Sequence, residues 1–309
     1  MRLAIINISQ GKFSGGYKKH LTELIPRFLK SPLIVDLIVF LPTGIDIGLD
    51  PSITNYIDMN SPVSIARQIS IQLDNFGPDL IFIPSARQFK YKSIPVVNMI
   101  RNMEPLQAPF GRNPYSECLK NILRFLVVLL ALSSAKRTIA VSQHVKDSIC
   151  RIPLISPNKI GVVYHGIDPL NCKVSQDARP NGLSSLNTFL FTAGSIRPAR
   201  GLEVLINAIQ TILVYDPTIS ILIAGSVDPG MHKYHNYLLQ LARQYNLTDN
   251  IVWLGQLNSL EMAWCFNNCN AFVVTSHAEA CPNTVLESLK HGTICVSPLT
   301  PPMPEFYQQ

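Results

Sequence analysis

Short apolar runs and one-sided helical patterns alternate along almost the whole chain. RLAIINIS, LIVDLIVFLP, DLIFIPS, SIPVVNMI and RTIAVS are rich in Ile, Leu and Val and are bounded by Pro, Gly or Ser. KIGVVYH, TFLFTAG, SILIAG, NIVWLG, NAFVVTS and TICVSP continue the series. Unbroken runs of this kind predict strands buried on both faces. Between them, GYKKHLTELIPRFLK, GLEVLINAIQTILVYD and HKYHNYLLQLARQYN carry helical patterns. In the second of these, Leu205, Ala208, Ile209 and Ile212 recur at steps of three and four and predict an apolar stripe. Such alternation implies parallel sheets covered by helices on both faces.

The pattern breaks once. Strand character stops at Tyr164, and Asp, Pro, Gly, Ser and Asn dominate until Thr188, which is linker chemistry. The expected architecture is α/β, with two Rossmann-like doubly wound domains, residues 1–168 and 169–309, facing a cleft. Ligands of such sheets collect at the carboxyl ends of the strands, so the loops that follow strands are where chemistry is sought.

Composition agrees with this division. The chain has 309 residues, more than one core usually holds, with 47% hydrophobic and 15% charged residues. Disorder is thereby excluded. Seven cysteines lie scattered without paired spacing, which suits buried thiols in a reducing compartment. Cys265 and Cys269 are placed for one helix face, but no Cys or His pair follows at zinc spacing, so no metal site is expected. MRLAIINIS has no small-residue cleavage site and reads as a first buried strand rather than a secretory signal. FLVVLLALSSA is too short to span a bilayer and reads as a buried core helix, with an interfacial segment as the alternative.

Charge is uneven. Residues 1–150 hold 17 Lys and Arg against 10 Asp and Glu, whereas residues 151–309 hold 9 against 10. The basic half is either a solvated face or a surface for anionic lipid or an anionic acceptor. Aromatic and basic residues are not interleaved, so nucleic acid is not an expected partner.

Three loops carry candidate chemistry. In ISQGKFSGGYKKHL, Gly15 and Gly16 precede a helix and let the backbone approach a ligand, although the spacing is not G-x-G-x-x-G. In TAGSIRPARGLEVL, Arg197 and Arg200 stand at the start of a helix read as Gly201–Asp216, where cations oppose the macrodipole. A bound phosphate or diphosphate would relieve that conflict. In HAEACPNTVLE, Pro282 suits the first turn of a helix that stops near Gly292. Glu279 then lies in the loop and Glu287 in the second turn, with the N–H groups of Asn283, Thr284 and Val285 between them. The residues alone leave two readings open: two grips on one nucleotide sugar, or a loop acid beside an unrelated helix acid.

Glu279 and Glu287 also match the E-x7-E signature of retaining GT-B glycosyltransferases of the GT4 type, and the resemblance extends along most of the chain. SGGYKKHLTEL looks like the family's Gly-Gly donor loop, and RTIAVSQHVKDSI resembles the segment that closes the first domain. VVYHGID resembles v.yNGvD, with His165 in place of Asn. TAGSIRPARGLEVLINAI resembles vGr...KG...li.A, and PNTVLESLKHGTICVS resembles pn.vlEa.a.G.pvv.s.

The resemblance implies a GT-B fold and retaining hexosyl transfer (EC 2.4) from a nucleotide-diphospho-sugar, UDP- or GDP-linked. The acceptor would be a glycan or a lipid-linked molecule in cell-surface polysaccharide or glycoconjugate synthesis. Glu279 would contact the donor sugar's hydroxyls, and Arg200 would meet the diphosphate where the family has Lys. Glu287 would hold the ribose, with Arg197, Gly15, Gly16 and the amides of Asn283, Thr284 and Val285 completing the donor site. No cofactor and no metal is implied, because cations and helix N-termini face the leaving diphosphate. The expected location is cytoplasmic, peripheral at the inner face of the membrane.

Three departures qualify the resemblance. The family's His-Asp is replaced by Arg101 and Asn102, which are candidates for contact with an acceptor or donor. Ser195 stands where the family's first Arg falls, with Arg197 as its substitute. The chain also ends where the family continues, so an incomplete C-terminal domain is expected. That ending raises the alternatives of a nucleotide-sugar-binding protein without turnover and of another GT-B enzyme, such as a sugar-nucleotide epimerase.

Overall fold

The computed structural model describes residues 1–8, 15–107, 115–167, 178–181, 183, 188–228 and 230–307, except the side chain at position 116. The chain forms two compact units, Met1–Leu106 with Leu119–Tyr164, and Gln107–Cys118 with His165–Gln309. The expected boundary after residue 168 lies outside the described residues.

The first unit holds a seven-stranded sheet in the order β3-β2-β1-β4-β5-β6-β7. Its strands are β1 Arg2–Ile6, β2 Asp36–Pro42, β3 Thr54–Ile57, β4 Leu80–Ile83, β5 Val96–Ile100, β6 Arg137–Ala140 and β7 Ile160–Val162. All neighbouring pairs are parallel. Its helices are α1 Gly15–Leu29, α2 Ile65–Phe76 and α5 Gln143–Cys150, together with α3 Glu104–Gln107 except its last residue and α4 Tyr115–Ser134 from Leu119 onward. Ile69 and Leu73 of α2 pack with Ala4, Ile6, Phe40, Ile57 and Ile81 of the sheet. Ser142 is a helix cap, its Oγ accepting the Val145 N–H at 3.2 Å.

The second unit holds a five-stranded parallel sheet in the order β10-β9-β8-β11-β12. Its strands are β8 Phe189–Ala193, β9 Ser220–Ala224, β10 Ile251–Gly255, β11 Ala271–Val273 and β12 Cys295–Val296. Helices α6 Leu202–Tyr215, α7 His232–Gln244, α8 Ser259–Asn268, α9 Asn283–Lys290 and α10 Pro304–Tyr307 accompany them. Burial on both faces explains the continuous apolar runs. Ile221 and Ile223 of β9 pack with Leu205, Ile206 and Leu238 of α6 and α7. The alternate residues Leu222 and Ala224 pack with Trp264, Phe266 and Val285 of α8 and α9. Asn258 and Glu261 close α8 with a reciprocal capping box.

Two expectations change. On α6 the buried stripe is Leu202, Leu205, Ile206 and Ile209, while Ala208 faces outward. The apolar helix that includes residues 125–134 is not wholly core. Val128, Ala131 and Leu132 are buried, but Leu119, Ile122, Leu123, Leu126 and Leu130 are each about half exposed or more. They recur at helical spacing, so one face packs on the sheet and another does not. Strand β3 and helix α2 add to the expected elements: TNYI is short and polar, whereas Ile69 and Leu73 of IARQISIQLDNF, between the caps Ser64 and Gly77, recur at a helical step that was legible in the sequence.

Phe191 is fully buried against Phe266 and Phe272, at centroid distances of 5.4 and 5.7 Å. Phe191→Ala is expected to cost about 3–5 kcal/mol. Leu126→Ser, on the open face of α4, is expected to change stability by less than about 0.5 kcal/mol. Urea unfolding of the two variants beside the parent checks both values.

Candidate active site

Parallel pairing of β8 with β11, Leu190 opposite Ala271 and Phe191 opposite Phe272, releases both following loops at the same edge of the second sheet. The first loop runs from Gly194 through a 3-10 turn at Pro198–Arg200 to Gly201, which opens α6. The second runs from Val274 to Pro282, the N-cap of α9. Pro282 therefore stands one residue before the first helical turn.

The two loops are joined residue by residue. The His277 N–H donates to the Ala199 carbonyl at 2.8 Å, and Thr275 Oγ1 donates to the Arg200 carbonyl at 2.9 Å. Arg200 forms an ion pair with Glu279, and its Nη1 reaches Ser276 Oγ at 3.4 Å. The guanidinium lies over Gly194, where an added Cβ would come within 2.7 Å of it and displace the arginine. The Arg200 and Glu279 side chains are 27% and 12% exposed. Partial desolvation strengthens their attraction but penalises either charge left alone. Gly194, Arg200, Thr275, Ser276 and Thr284 line a small pocket at the sheet edge.

Arg197 turns toward the end of β9, with Nη2 3.1 Å from Asp228 Oδ2. The two arginines therefore have carboxylate partners from distant segments, and Glu203 places an acid in the first turn of α6. The macrodipole conflict inferred from sequence is thus met by the fold itself. A bound anion is not needed to explain these arginines.

At α9, Asn283 Oδ1 lies 2.7 Å from His165 Nδ1, so the His that replaces the family's Asn engages the helix start. Thr284 lines the pocket beside Arg200. Val285 is fully buried in the core, and its N–H bonds to the Pro282 carbonyl at 3.0 Å. That amide is engaged inside the first turn. Glu287 is the fifth residue of α9, on the second turn, and is half-buried.

In the first unit, Gly15 and Gly16 are exposed and open α1. Residues 9–14 of that loop lie outside the described residues. Arg101 Nη2 donates to the Gly16 carbonyl at 3.2 Å, and its guanidinium sits 5.0 Å from the Tyr17 ring centroid. Burial raises the Tyr17 hydroxyl above its ordinary pKa, and the hydroxyl donates to Asn7 Oδ1. Arg101 thus braces the glycine turn, a role invisible in sequence because 85 residues separate the partners. Asn102 Oδ1 accepts the Glu104 N–H at 3.0 Å and starts α3.

Among the described residues no three His, Cys, Asp or Glu side chains form a metal-binding group, and no helix is long and apolar enough to cross a membrane. Cys265 is buried and burial pushes its thiol up to about 12. Sequence reasoning passed over His277, which lies inside the quoted HAEACPNTVLE stretch. Its position two residues before Glu279 was the available signal.

Residues 15–169, half of the chain, match Glycosyltransferase Family 4, and residues 175–308 match Glycosyl transferases group 1. An uncharacterized glycosyltransferase of Methanocaldococcus jannaschii is 26% identical over 164 residues, 51% of this chain and 40% of that protein. D-inositol 3-phosphate glycosyltransferase of Frankia alni is 22% identical over 173 residues, 54% of this chain and 42% of that protein. The chain spans about half the length of the curated relatives it matches. Anabaena HepE, solved with UDP and glucose, superposes with a TM-score of 0.71 at 18% identity, covering 99% of this chain and 82% of that one. Sucrose-phosphate synthase of Thermosynechococcus elongatus gives 0.71 at 16% identity, covering 96% and 80%. At these identities the likeness shows the GT-B fold.

Gly201 has φ 60°, and an added Cβ would overlap the Thr275 carbonyl and come within 2.8 Å of His277 Nε2. Gly201→Ala is expected to destabilise the protein by about 1–3 kcal/mol, seen as a lower Tm in calorimetry. Iodoacetamide at pH 8 is expected to leave Cys265 unmodified in the folded protein and to label it in urea, read by peptide mass spectrometry.

Proposed function

The chain belongs to glycosyltransferase family 4, and on that premise we propose that it moves a sugar, with retention, from a nucleotide-diphospho-sugar to a glycan or lipid-linked acceptor. The observation that carries the proposal is the Arg200–Glu279 pair, held over Gly194 between two strand-end loops. Transfer breaks the bond between the anomeric carbon and the diphosphate oxygen, and negative charge develops on the departing diphosphate. Arg200 meets that charge, with Arg197 and the amides of Asn283 and Thr284 behind it. A guanidinium already held by a carboxylate is oriented before substrate arrives and reorganises little during the reaction.

Glu279 accepts from hydroxyls of the donor sugar, and Glu287 accepts from the ribose. The Gly15-Gly16 turn, braced by Arg101, is proposed as a further donor contact and Asn102 as a contact of acceptor or donor. Metal-free transfer belongs to this proposal, since the chain's own cations and helix N-terminus supply positive charge at the leaving group. The HepE structures hold UDP and UDP-glucose, which supports a uridine donor ahead of a guanosine one. Synthesis of cell-surface polysaccharide or glycoconjugate, at the cytoplasmic face of a membrane, is the setting proposed for the reaction. Support for a membrane surface comes from the basic excess of residues 1–150 and the open apolar face of α4.

At a concentration a hundred times the Kd of UDP, UDP is expected to stabilise the protein by about 2.7 kcal/mol, ahead of GDP and ADP at the same concentration in a thermal-shift series. Glu279→Gln is expected to lower donor turnover on the order of 100-fold with folding intact, and chelator is expected to leave turnover unchanged. Binding without turnover in the parent would favour the nucleotide-sugar-binding alternative. Parent-like turnover in Glu279→Gln would remove Glu279 from the site.

A further inference from the structure

Outside the pocket, two side chains from two other segments meet at one buried carboxylate of α6. Glu203, in the first turn of α6, is 11% exposed at its side chain. Tyr234 of α7 donates its hydroxyl to Glu203 Oε2 at 2.6 Å, and His277 Nε2 lies 3.4 Å from Oε1. Gly201 provides no side-chain cap for α6, and the Tyr234 hydroxyl accepts the Leu202 N–H at 3.2 Å in place of one. Burial, together with the Glu203 carboxylate, raises the Tyr234 hydroxyl above its ordinary pKa, so it stays a donor.

This cluster grips the segments on either side of the pocket's ion pair. The His277 N–H holds the Ala199 carbonyl, one residue before Arg200. The His277 ring covers Gly201, one residue after Arg200. Glu279 follows two residues later on the same loop. The Glu203 carboxylate, fixed by Tyr234, accepts from Nε2–H and sets the orientation of the ring. A first-turn acid needs no such arrangement to satisfy the helix dipole, which an exposed Glu would serve equally. Burial of a carboxylate costs several kcal/mol unless it is paired, so its place here has to be explained by what it holds.

The geometry points to His277, held by Glu203 and Tyr234, as the positioning residue that sets Arg200 and Glu279 in register across the pocket. Loss of the ring leaves the backbone contact at Ala199 intact but frees the 275–279 loop to shift against Gly201. Glu279 and Arg200 then no longer meet the substrate together, and a misplacement on the order of 1 Å lowers turnover on the order of 100-fold. The kinetic part of this inference rests on the proposed transferase reading, whereas the structural part does not.

Two arms on the full chain test it. Without ligand, urea midpoints of His277→Ala, Arg200→Lys and the double variant form a cycle. The double variant is expected to lose less than the two single shifts together, because each loosens the same loop pair. Additive shifts overturn the inference. With donor present, His277→Ala and Glu203→Gln are expected to lower kcat tenfold or more while Tm stays within a few degrees. His277→Gln, whose amide N–H can replace Nε2–H, is expected to recover most of the loss. Parent-like kcat in His277→Ala, or a kcat loss that follows Tm and is not rescued by Gln, overturns it. If the parent neither binds UDP nor turns over donor, the transferase reading falls, and the ligand-free cycle still decides whether His277 couples to Arg200.

Discussion

The arrangement of the second unit depends on the parallel pairing of β8 with β11. Parallel neighbours end at the same edge of a sheet, so the loops after them must run side by side. Arg200 and Glu279, 79 residues apart in sequence, become partners for that reason. The same edge gathers Gly194, Ser276 and Thr284 around the pocket. The apolar residues behind it, Phe191, Phe272 and Val285, hold the loop bases rigid because they are wholly buried between α8, α9 and the sheet.

Electrostatics then works on a frame already fixed by packing. Each arginine of the first loop meets a carboxylate from a different segment, Arg197 with Asp228 and Arg200 with Glu279. The third acid, Glu203, is paired with Tyr234 and His277. Half-buried charges matched in this way stay where the backbone puts them, since separation would leave one of them desolvated and alone. Charges fixed in this way suit the transfer proposed above, whose main demand is stabilisation of charge on a leaving group.

Periodicity revealed most of the fold. The eleven apolar runs named from sequence all hold strands, and the α6 and α7 patterns hold helices at almost the expected limits. Buried parallel strands write themselves plainly, since neither face admits polar residues. What was illegible had weaker grammar. Strand β3 lies at the sheet edge with Thr54, Asn55 and Tyr56 only partly covered, so its sequence carries little apolar signal. The leucine-rich face of α4 looked like core because composition does not record which neighbours are present. Of the candidate site, the sequence named residues but not their partners: Arg101 braces Gly16, and His165 meets Asn283.

Sequence by itself determined the two-domain parallel α/β class, the strand-end loops and the two glutamates in their E-x7-E spacing. Each of these is local, written in periodicity, turn residues or a motif of a few positions. Tertiary structure alone decided which charges neutralise one another, that the Val285 amide is engaged within its own helix, and that His277 sits against Gly201. Those outcomes depend on which loops lie side by side after strands have paired, and pairing order in a parallel sheet is set by crossovers that no local stretch of sequence encodes.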